Sequence, residues 1–461
     1  MSILGTLLPA LGFLDAIVQD NTLAREFYDA LYPELLFRAD AIPEKWEANL
    51  GDRMIFTRSS LLNATPNALT PGVDPAPQNP SYEQWSVQAA QYGSSTDTHM
   101  PSSRTALAPI FARNAKTLGL NAGQTLNRLA RDKLYYHYLG GDTLTLALGA
   151  AVTAVPVASI NGFTTVIVAG QEVPVSPGNP KSITISGVAG TPQVTAAVPA
   201  DPLVPLGPGT LTVSVAINFA ADAKVRASDA PTIIRAGNQP TIDTLTGASI
   251  LSFKDIREAV AILRRNRVPP HEDGYYHVHL DPVAEAQLFG DNEMQRMFQG
   301  LPDDYRYMRF VVGVRYGCVF FSNSESPTSV NTGTLISTRG LAFASPEIFA
   351  EVTNKSGIGI IRTIITGGGT LMEKWIDEQA EYVSEAGYQG KVGSFAIVNN
   401  GIQVSIERTR YIIRAPRDRL QQTVSQSWSA SLDFGVPSDL LGGQTSARFK
   451  RAVVIESGSQ Y

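Results

Sequence analysis

The feature that most constrains this chain is a nearly uncharged segment, residues 141 to about 224, set between two charged ones. It follows a charged and aromatic helix-like run, RDKLYYHYLGG (131–141), and gives way to ADAKVRASDAP (221–231). Inside it, TTVIVAG, KSITISG and GTLTVSVAINF are separated by Pro and Gly clusters. Short Val/Ile/Thr runs between turn signals predict strands of a small β-sandwich or barrel. A segment this long with so little charge is poorly suited to a solvated loop. It is expected to be a β-domain inserted into a larger scaffold, with Gly140-Gly141 at its entrance. Loop-closure cost rises only as the logarithm of length, so an insertion whose ends meet strains its host little.

The flanking sequence predicts an α+β scaffold. Leu23, Phe27, Leu31 and Leu35 recur every four positions, which predicts amphipathic helix within 14–50. Residues 103–138 predict a second helix, kinked near Gly119, with Leu126, Leu129, Ala130 and Leu134 as its stripe and Arg128, Arg131, Asp132 and Lys133 off it. SFKDIREAVAILRRNRVPP predicts a helix capped by Ser252, with Asp255 in its first turn and Pro269-Pro270 at its stop. DPVAEAQLF (281–289) and SPEIFAEV (345–352) each predict a helix with a cap residue followed by proline. YYHVHL and RFVVGVRYGCVFF predict strands, FAIVNNGIQVSIERTRYIIR a hairpin about Asn400-Gly401, and QTVSQSWSASLDFG a further alternating strand.

Residues 51–100 predict two strand-like arms around a Pro/Asn/Gly-rich middle. In the second arm Trp85, Val87 and Ala89 alternate with Gln84, Ser86 and Gln88. An isolated two-stranded ribbon is marginal in water. Arms of about twenty residues reach roughly 65 Å at about 3.3 Å per residue. The ribbon is therefore expected to lie on another subunit, the alternative being a hairpin folded back on its own domain. Phe56, Trp85, Val87 and Tyr92 are the candidate inter-subunit contacts.

Composition narrows the function. With 461 residues the chain has length for two or three domains. Charged residues are only 17%, below the roughly 25% of an average soluble protein, which leaves more surface able to pack on other chains. A net charge of −5 gives no global basic field for nucleic acid. The single cysteine, Cys318, excludes an intrachain disulfide. No Lys or Arg precedes Arg25, so the apolar start reads as an arm or short buried helix rather than a signal peptide, and no run of eighteen apolar residues predicts a membrane span.

No catalytic set and no cofactor site is expected. His277 and His279, two apart on a predicted strand, share a face near His271, Asp273 and Asp281, and are the metal candidates. They lack a third ligand at a metalloenzyme spacing, and a half-exposed polar strand is the expected reading. TIITGGGT lacks the Gly-Lys-Ser/Thr of a phosphate loop, and GIGIIR places Arg362 where a dinucleotide fingerprint needs glycine. Both read as plain loops. Arginines gather at ILRRNR (Arg264, Arg265, Arg267) and RTRYIIRAPRDR, and are read first as complements of helix ends rather than phosphate contacts.

The order of parts resembles the major capsid proteins of tailed bacteriophages with the HK-97-like fold, and in particular the family typified by N-four-like podoviruses. The stretches that carry the likeness are GDRMIFTR, QYGSSTDT, GQTLNRLARDKL, VRASDA, FKDIREAVAILRRNRVPP, YYHVHLDP and IERTRYIIR. The resemblance implies an N-terminal arm (1–50), an extended β-ribbon loop (51–102), a spine helix with peripheral domain (103–140 and 225–270), an axial domain (271–400) and C-terminal peripheral strands (401–461). The inserted β-domain (141–224) departs from the pattern and is expected on the outer face of a shell. The implied function is self-assembly, through hexamers and pentamers, into the icosahedral shell around phage double-stranded DNA. Implied partners are further copies of the chain, a scaffolding protein, a portal, a decoration protein and the DNA by non-specific contact. There is no membrane partner. The implied location is the virion capsid, assembled in the host cytoplasm. Competing readings are an encapsulin-like compartment shell, a surface-layer or adhesin-type β protein, and a metal-dependent hydrolase built on His277 and His279.

Overall fold

In a computed structural model the described residues are 22–31, 36–46, 53–59, 82–99, 110–168, 171–202, 206–293, 311–323, 358–376, 395–398, 401–406, 408–414, 422–439 and 450–459, with short stretches and single positions between. The elements are helical and extended in mixture, an α+β chain as expected. No helix among these residues is long and apolar enough to cross a membrane. They divide into two interleaved units. The first is Met1–Met54, Ser86–Ala130 and Met372–Gly435; the second is Ile55–Trp85, Arg131–Leu371 and Val436–Tyr461.

The first unit begins with helix α1, Thr22–Leu31. The helix expected through residue 50 stops far earlier, and Ala41–Trp46 is strand β1 instead. Pro43 explains the change, because proline removes a helical N–H and is tolerated on a sheet edge. Strands β2 (Arg53–Ser59) and β3 (Tyr82–Gln88), most of whose residues belong to the second unit, pair as a two-stranded ribbon. Strand β4 (Ala90–His99) leaves that ribbon and pairs along β23 (Thr423–Gly435), from Thr423↔His99 to Leu432↔Ala90. The outer part of the second arm therefore lies on its own chain, which corrects the expectation that the whole arm rests on a neighbour. The seven-stranded sheet has the order β1-β19-β23-β22-β21-β20, with β19 Leu371–Ile376, β20 Phe395–Val398, β21 Gly401–Ile406 and β22 Thr409–Arg414. In the predicted hairpin Val398 pairs with Gly401, one position earlier than the Asn-Gly signal.

The long helix α2 runs Ile110–Tyr138. Its predicted stripe is buried at Leu126, Ala130 and Leu134, but Arg128 and Arg131, expected off the stripe, are buried too. Strand β23 alternates without a break, burying Val424, Gln426, Trp428, Ala430, Leu432 and Phe434. The Trp428 indole donates to Asn121 Oδ1 at 3.0 Å, and Asn114 donates to Thr98 Oγ1 at 2.8 Å. At Gly119 a Cβ would stand 2.3 Å from the Phe27 carbonyl, so the glycine admits the close approach of α1's backbone.

In the second unit a seven-stranded sheet has the order β13-β24-β18-β14-β16-β15, with β17 (Thr328–Ser329) on β18. The strands are β13 Ile233–Arg235, β14 Tyr276–Leu280, β15 Val311–Arg315, β16 Cys318–Ser322, β18 Gly359–Thr366 and β24 Ala452–Ser459. Every residue of β18 is buried, its four isoleucines together with Arg362, Thr363 and Thr366. Helix α3 (Phe253–Arg265) starts at Ser252, whose N–H donates to Asp255 Oδ2 at 3.1 Å. Helix α4 (Pro282–Phe289) starts at Asp281, which accepts from Val283 N at 2.9 Å. Both helices join one core with Tyr276, Val278, Phe320, Ile365 and Ile455.

Two expected boundaries are corrected. The break at 270/271 runs through this single core. The C-terminal 401–461 are divided, with β21 to β23 in one sheet and β24 in the other. The helix expected at 345–352 and the arm at 1–21 lie outside the described residues.

The neutral block forms a six-stranded sheet of order β5-β12-β9-β10-β11-β6: β5 Asp142–Leu144, β6 Gly149–Val157, β9 Lys181–Ile185, β10 Gln193–Pro199, β11 Gly209–Phe219 and β12 Lys224–Ala227. A separate hairpin joins β7 (Thr165–Val168) to β8 (Gln171–Pro174). Its buried cluster draws only on residues between Val155 and Ala230, including Phe163, Ile183, Leu211 and Val225. The first and last strands lie side by side, Arg226 opposite Asp142, so chain entry and exit meet. The sheet extends to Ala227, three residues past the expected limit.

Candidate assembly interface

The ribbon of β2 and β3 has two unlike faces. Met54 and Phe56 on β2, with Glu83 and Val87 on β3, are buried, while Trp85 is half-buried. Phe56 and Trp85 stack with ring centroids 5.4 Å apart. The opposite parity is bare: Ile55 is 47% exposed and Tyr82 64%, and Gln84 Nε2 donates to Thr57 Oγ1 at 3.3 Å.

Buried polar contacts fasten this ribbon at its base. Glu83 accepts from Asp439 N at 3.0 Å and from the Ser438 hydroxyl. The Asp439 carboxylate pairs with Arg451 at 3.1 Å and with Arg58. Neighbouring Tyr138 has its phenol pushed well up, first by burial and then by the Asp439 charge. A fixed base with two large apolar side chains left exposed on the open face suits a surface that another chain completes.

The four sequence candidates do not share one exposed face. Phe56 and Val87 are 2% and 7% exposed within the single chain, so they support the ribbon from beneath. Trp85 belongs to the same inner face, and its indole N–H has no acceptor among the described residues. Tyr92 sits on β4 opposite Ala430, half-buried, its phenol raised first by burial and then by Asp433. Ile55 and Tyr82, which are not among those candidates, are the large side chains that the opposite parity of the same alternation leaves exposed.

A second anchored segment lies at β1. Arg38 and Glu373, 1% and 0% exposed, form a two-pronged pair with contacts of 2.6, 3.1 and 3.2 Å, and Arg408 joins Glu373 at 2.7 Å. Lys374 pairs with Glu44 at 2.9 Å and lies 4.7 Å from the Trp46 ring, while Lys45 lies 5.7 Å from Trp375. These contacts tie residues 38–46 to β19.

His277 and His279 share a face of β14, as predicted, but that strand lies inside a sheet between β16 and β18 rather than half-exposed. His279 is 1% exposed and stacks on Phe321 at 5.5 Å. His277 meets the same ring edge-on at 5.1 Å, stacks on His271 at 4.0 Å and bonds to Asp273 at 2.9 Å. Of GIGIIR, read as a loop, Gly359–Arg362 instead open β18, where Arg362 pairs with Glu456, and the TGGGT turn is tied by backbone, with Gly368 N donating to Pro269 O at 2.7 Å.

No protein-family model matches the sequence, and no curated protein matches it. Solved structures that are similar include the capsid of Ralstonia phage GP4, at 11% identity, 92% of this chain, 88% of that chain and a TM-score of 0.49. The capsid of Helicobacter pylori bacteriophage KHP30 is similar at 9% identity, covering 90% and 86%, TM-score 0.45. The capsid of the cyanophage P-SCSP1u is similar at 10% identity, covering 92% and 89%, TM-score 0.45.

Proposed function

We propose that this chain is a major capsid protein of a tailed bacteriophage, self-assembling into the closed shell that encloses the genome. The observation that carries the reading is the β2–β3 ribbon: fixed at its base by Glu83 and Asp439, with Ile55 and Tyr82 standing exposed on its open, otherwise polar face. It supports a role that a lone monomer leaves unfulfilled. The sequence of parts, a ribbon, a 29-residue helix and two seven-stranded sheets, agrees with the resemblance carried by GDRMIFTR, GQTLNRLARDKL and IERTRYIIR. Hundreds of identical copies make each contact repeat, so individually weak interfaces give a strong shell.

On this reading the chain acts as a structural protein, with hexamers and pentamers as its assemblies and a scaffolding protein, portal and decoration protein as partners. Assembly takes place in the host cytoplasm. The block 142–227 is an inserted domain on the outer face. Its adjoining ends support insertion, and its exposed Leu146, Leu148, Val198 and Val215 suit a decoration protein or a neighbouring copy.

The test is sedimentation of the purified chain beside an Ile55→Thr/Tyr82→Ser variant. The wild type is expected as large closed assemblies and the variant as smaller species with an unchanged Tm. Equal assembly of the two would remove the ribbon face from the interface, and a wild type that stays monomeric with its scaffold present would contradict the shell.

A further inference from the structure

The arginines of ILRRNR end α3, where they were read as complements of the helix dipole. As hydrogen-bond donors to the helix end they are largely superseded by the backbone. The carbonyls of Ile262, Leu263 and Arg264 already accept backbone N–H groups from Asn266, Val268 and Arg267, at 2.9, 3.0 and 3.0 Å. Arg264, Arg265 and Arg267 are all exposed.

Two positions in this region carry large functional side chains where the backbone favours glycine. Arg267 has φ 57°, in the left-handed position after a helix that glycine or asparagine normally takes. Tyr316 has φ 53° and precedes Gly317 at φ 77° in the two-residue turn joining β15 to β16. Such turns ordinarily carry Asn-Gly or Asp-Gly. Tyr316 is 45% exposed and has the Arg264 guanidinium 5.1 Å from its ring centre, with Arg264 Nη2 donating to its carbonyl at 3.4 Å. Half-exposed Tyr275 lies beside this turn, since Tyr276 N donates to Gly317 O at 2.9 Å. The aromatic ring holds one guanidinium in place before any ligand arrives. Arginine's planar fork matches phosphate oxygens two at a time.

We propose that the end of α3, with Arg264, Arg265, Arg267 and Tyr316, is a contact for the phosphate backbone of duplex DNA, bound without regard to sequence. The identity of the occupant rests on the capsid reading, in which duplex DNA is the polyanion enclosed with the protein. With a net charge of −5 the chain as a whole does not attract DNA, so the hold is local.

The experiment is fluorescence anisotropy of the full chain with a short duplex at graded salt. The variants are Arg267→Gly alone and the triple change Arg264→Gln/Arg265→Gln/Arg267→Gly. Each phosphate contact contributes about 0.9 to the slope of log K against log salt. Arg267→Gly is expected to lose about 0.9 of slope while its Tm stays level or rises, because glycine suits that φ. The triple variant is expected to lose roughly 2 to 3. An unchanged slope in the triple variant overturns the inference. So does tighter binding of polyglutamate than of the duplex at equal salt, which would mark an acidic protein segment as the occupant. Loss of assembly with an unchanged slope also overturns it, making the patch a subunit interface. Loss of slope in a chain that never assembles supports the DNA contact and sinks the capsid reading.

Discussion

Glu456 lies 1% exposed between two guanidinium groups, Arg235 at 2.9 Å and Arg362 at 3.2 Å. Arg235 also reaches Asp142 at 3.4 Å, at the threshold of the neutral block, and the two carboxylates hold its guanidinium's affinity for its proton up against burial. Replacing Glu456 by Gln removes the carboxylate shared by two buried guanidinium groups and leaves Arg235 with Asp142 alone. Loss of one partner from such a pair costs about 3–5 kcal/mol, so denaturant unfolding of Glu456→Gln is expected to show a fall of that order. A loss below about 1 kcal/mol, the level of an exposed pair, would mean that the cluster is solvated. Cys318 gives a pH prediction. Burial raises its thiol from 9.0 to about 12. The folded state then binds the proton more tightly than the unfolded chain, so its contribution is complete below about pH 9 and is lost as pH climbs toward 12. Cys318→Ala is expected to flatten the alkaline fall in stability over that window, and an unaltered slope would contradict it. At this scale sequence reading succeeds where the chemistry is local. Ser252 with Asp255 and Asp281 with Pro282 are legible because cap and helix are neighbours in sequence. The Arg38–Glu373 pair spans 335 positions and leaves no local trace.

Among the elements, periodicity located strands well and their partners poorly. The alternation of SQSWSASLDF identified β23, yet nothing in it shows that β4 pairs along ten of its positions. Hydrogen-bond partners in a sheet are chosen by long-range register, which a single arm does not encode. The neutral block was legible because its composition changes at both edges. Its glycines are also explained: a Cβ on Gly162 would stand 2.2 Å from Gly141 N, and Gly141 has φ 84°. The crossing of chain entry over the Asn161–Gly162 turn admits no side chain there. Replacing residues 143–226 by a short Gly/Ser linker is expected to leave a folded scaffold with its Tm within a few degrees, because the ends already lie beside each other. Insoluble protein, or broad unfolding without a cooperative transition, would make the block integral to the scaffold.

Over the whole molecule, the order of elements was readable and the division into units was not. Each unit takes segments from three separated parts of the chain, so linear boundaries at 270 and 400 had no physical counterpart. Residues 51–100 hold no lysine, so the ribbon has no amine with which to form a lysine–asparagine crosslink of the kind certain capsids of the resembling fold carry. Particles boiled in detergent are expected to run as single chains near 49.5 kDa, and a ladder of multiples mapped to the ribbon would contradict this. The central claim is tested most directly by cryo-electron microscopy of the particles the chain forms when expressed with its neighbouring phage genes. The shell reading predicts closed icosahedral particles in which Ile55 and Tyr82 face a neighbouring copy. Single molecules, open sheets, or closed particles whose ribbon face stays bare to solvent would contradict it.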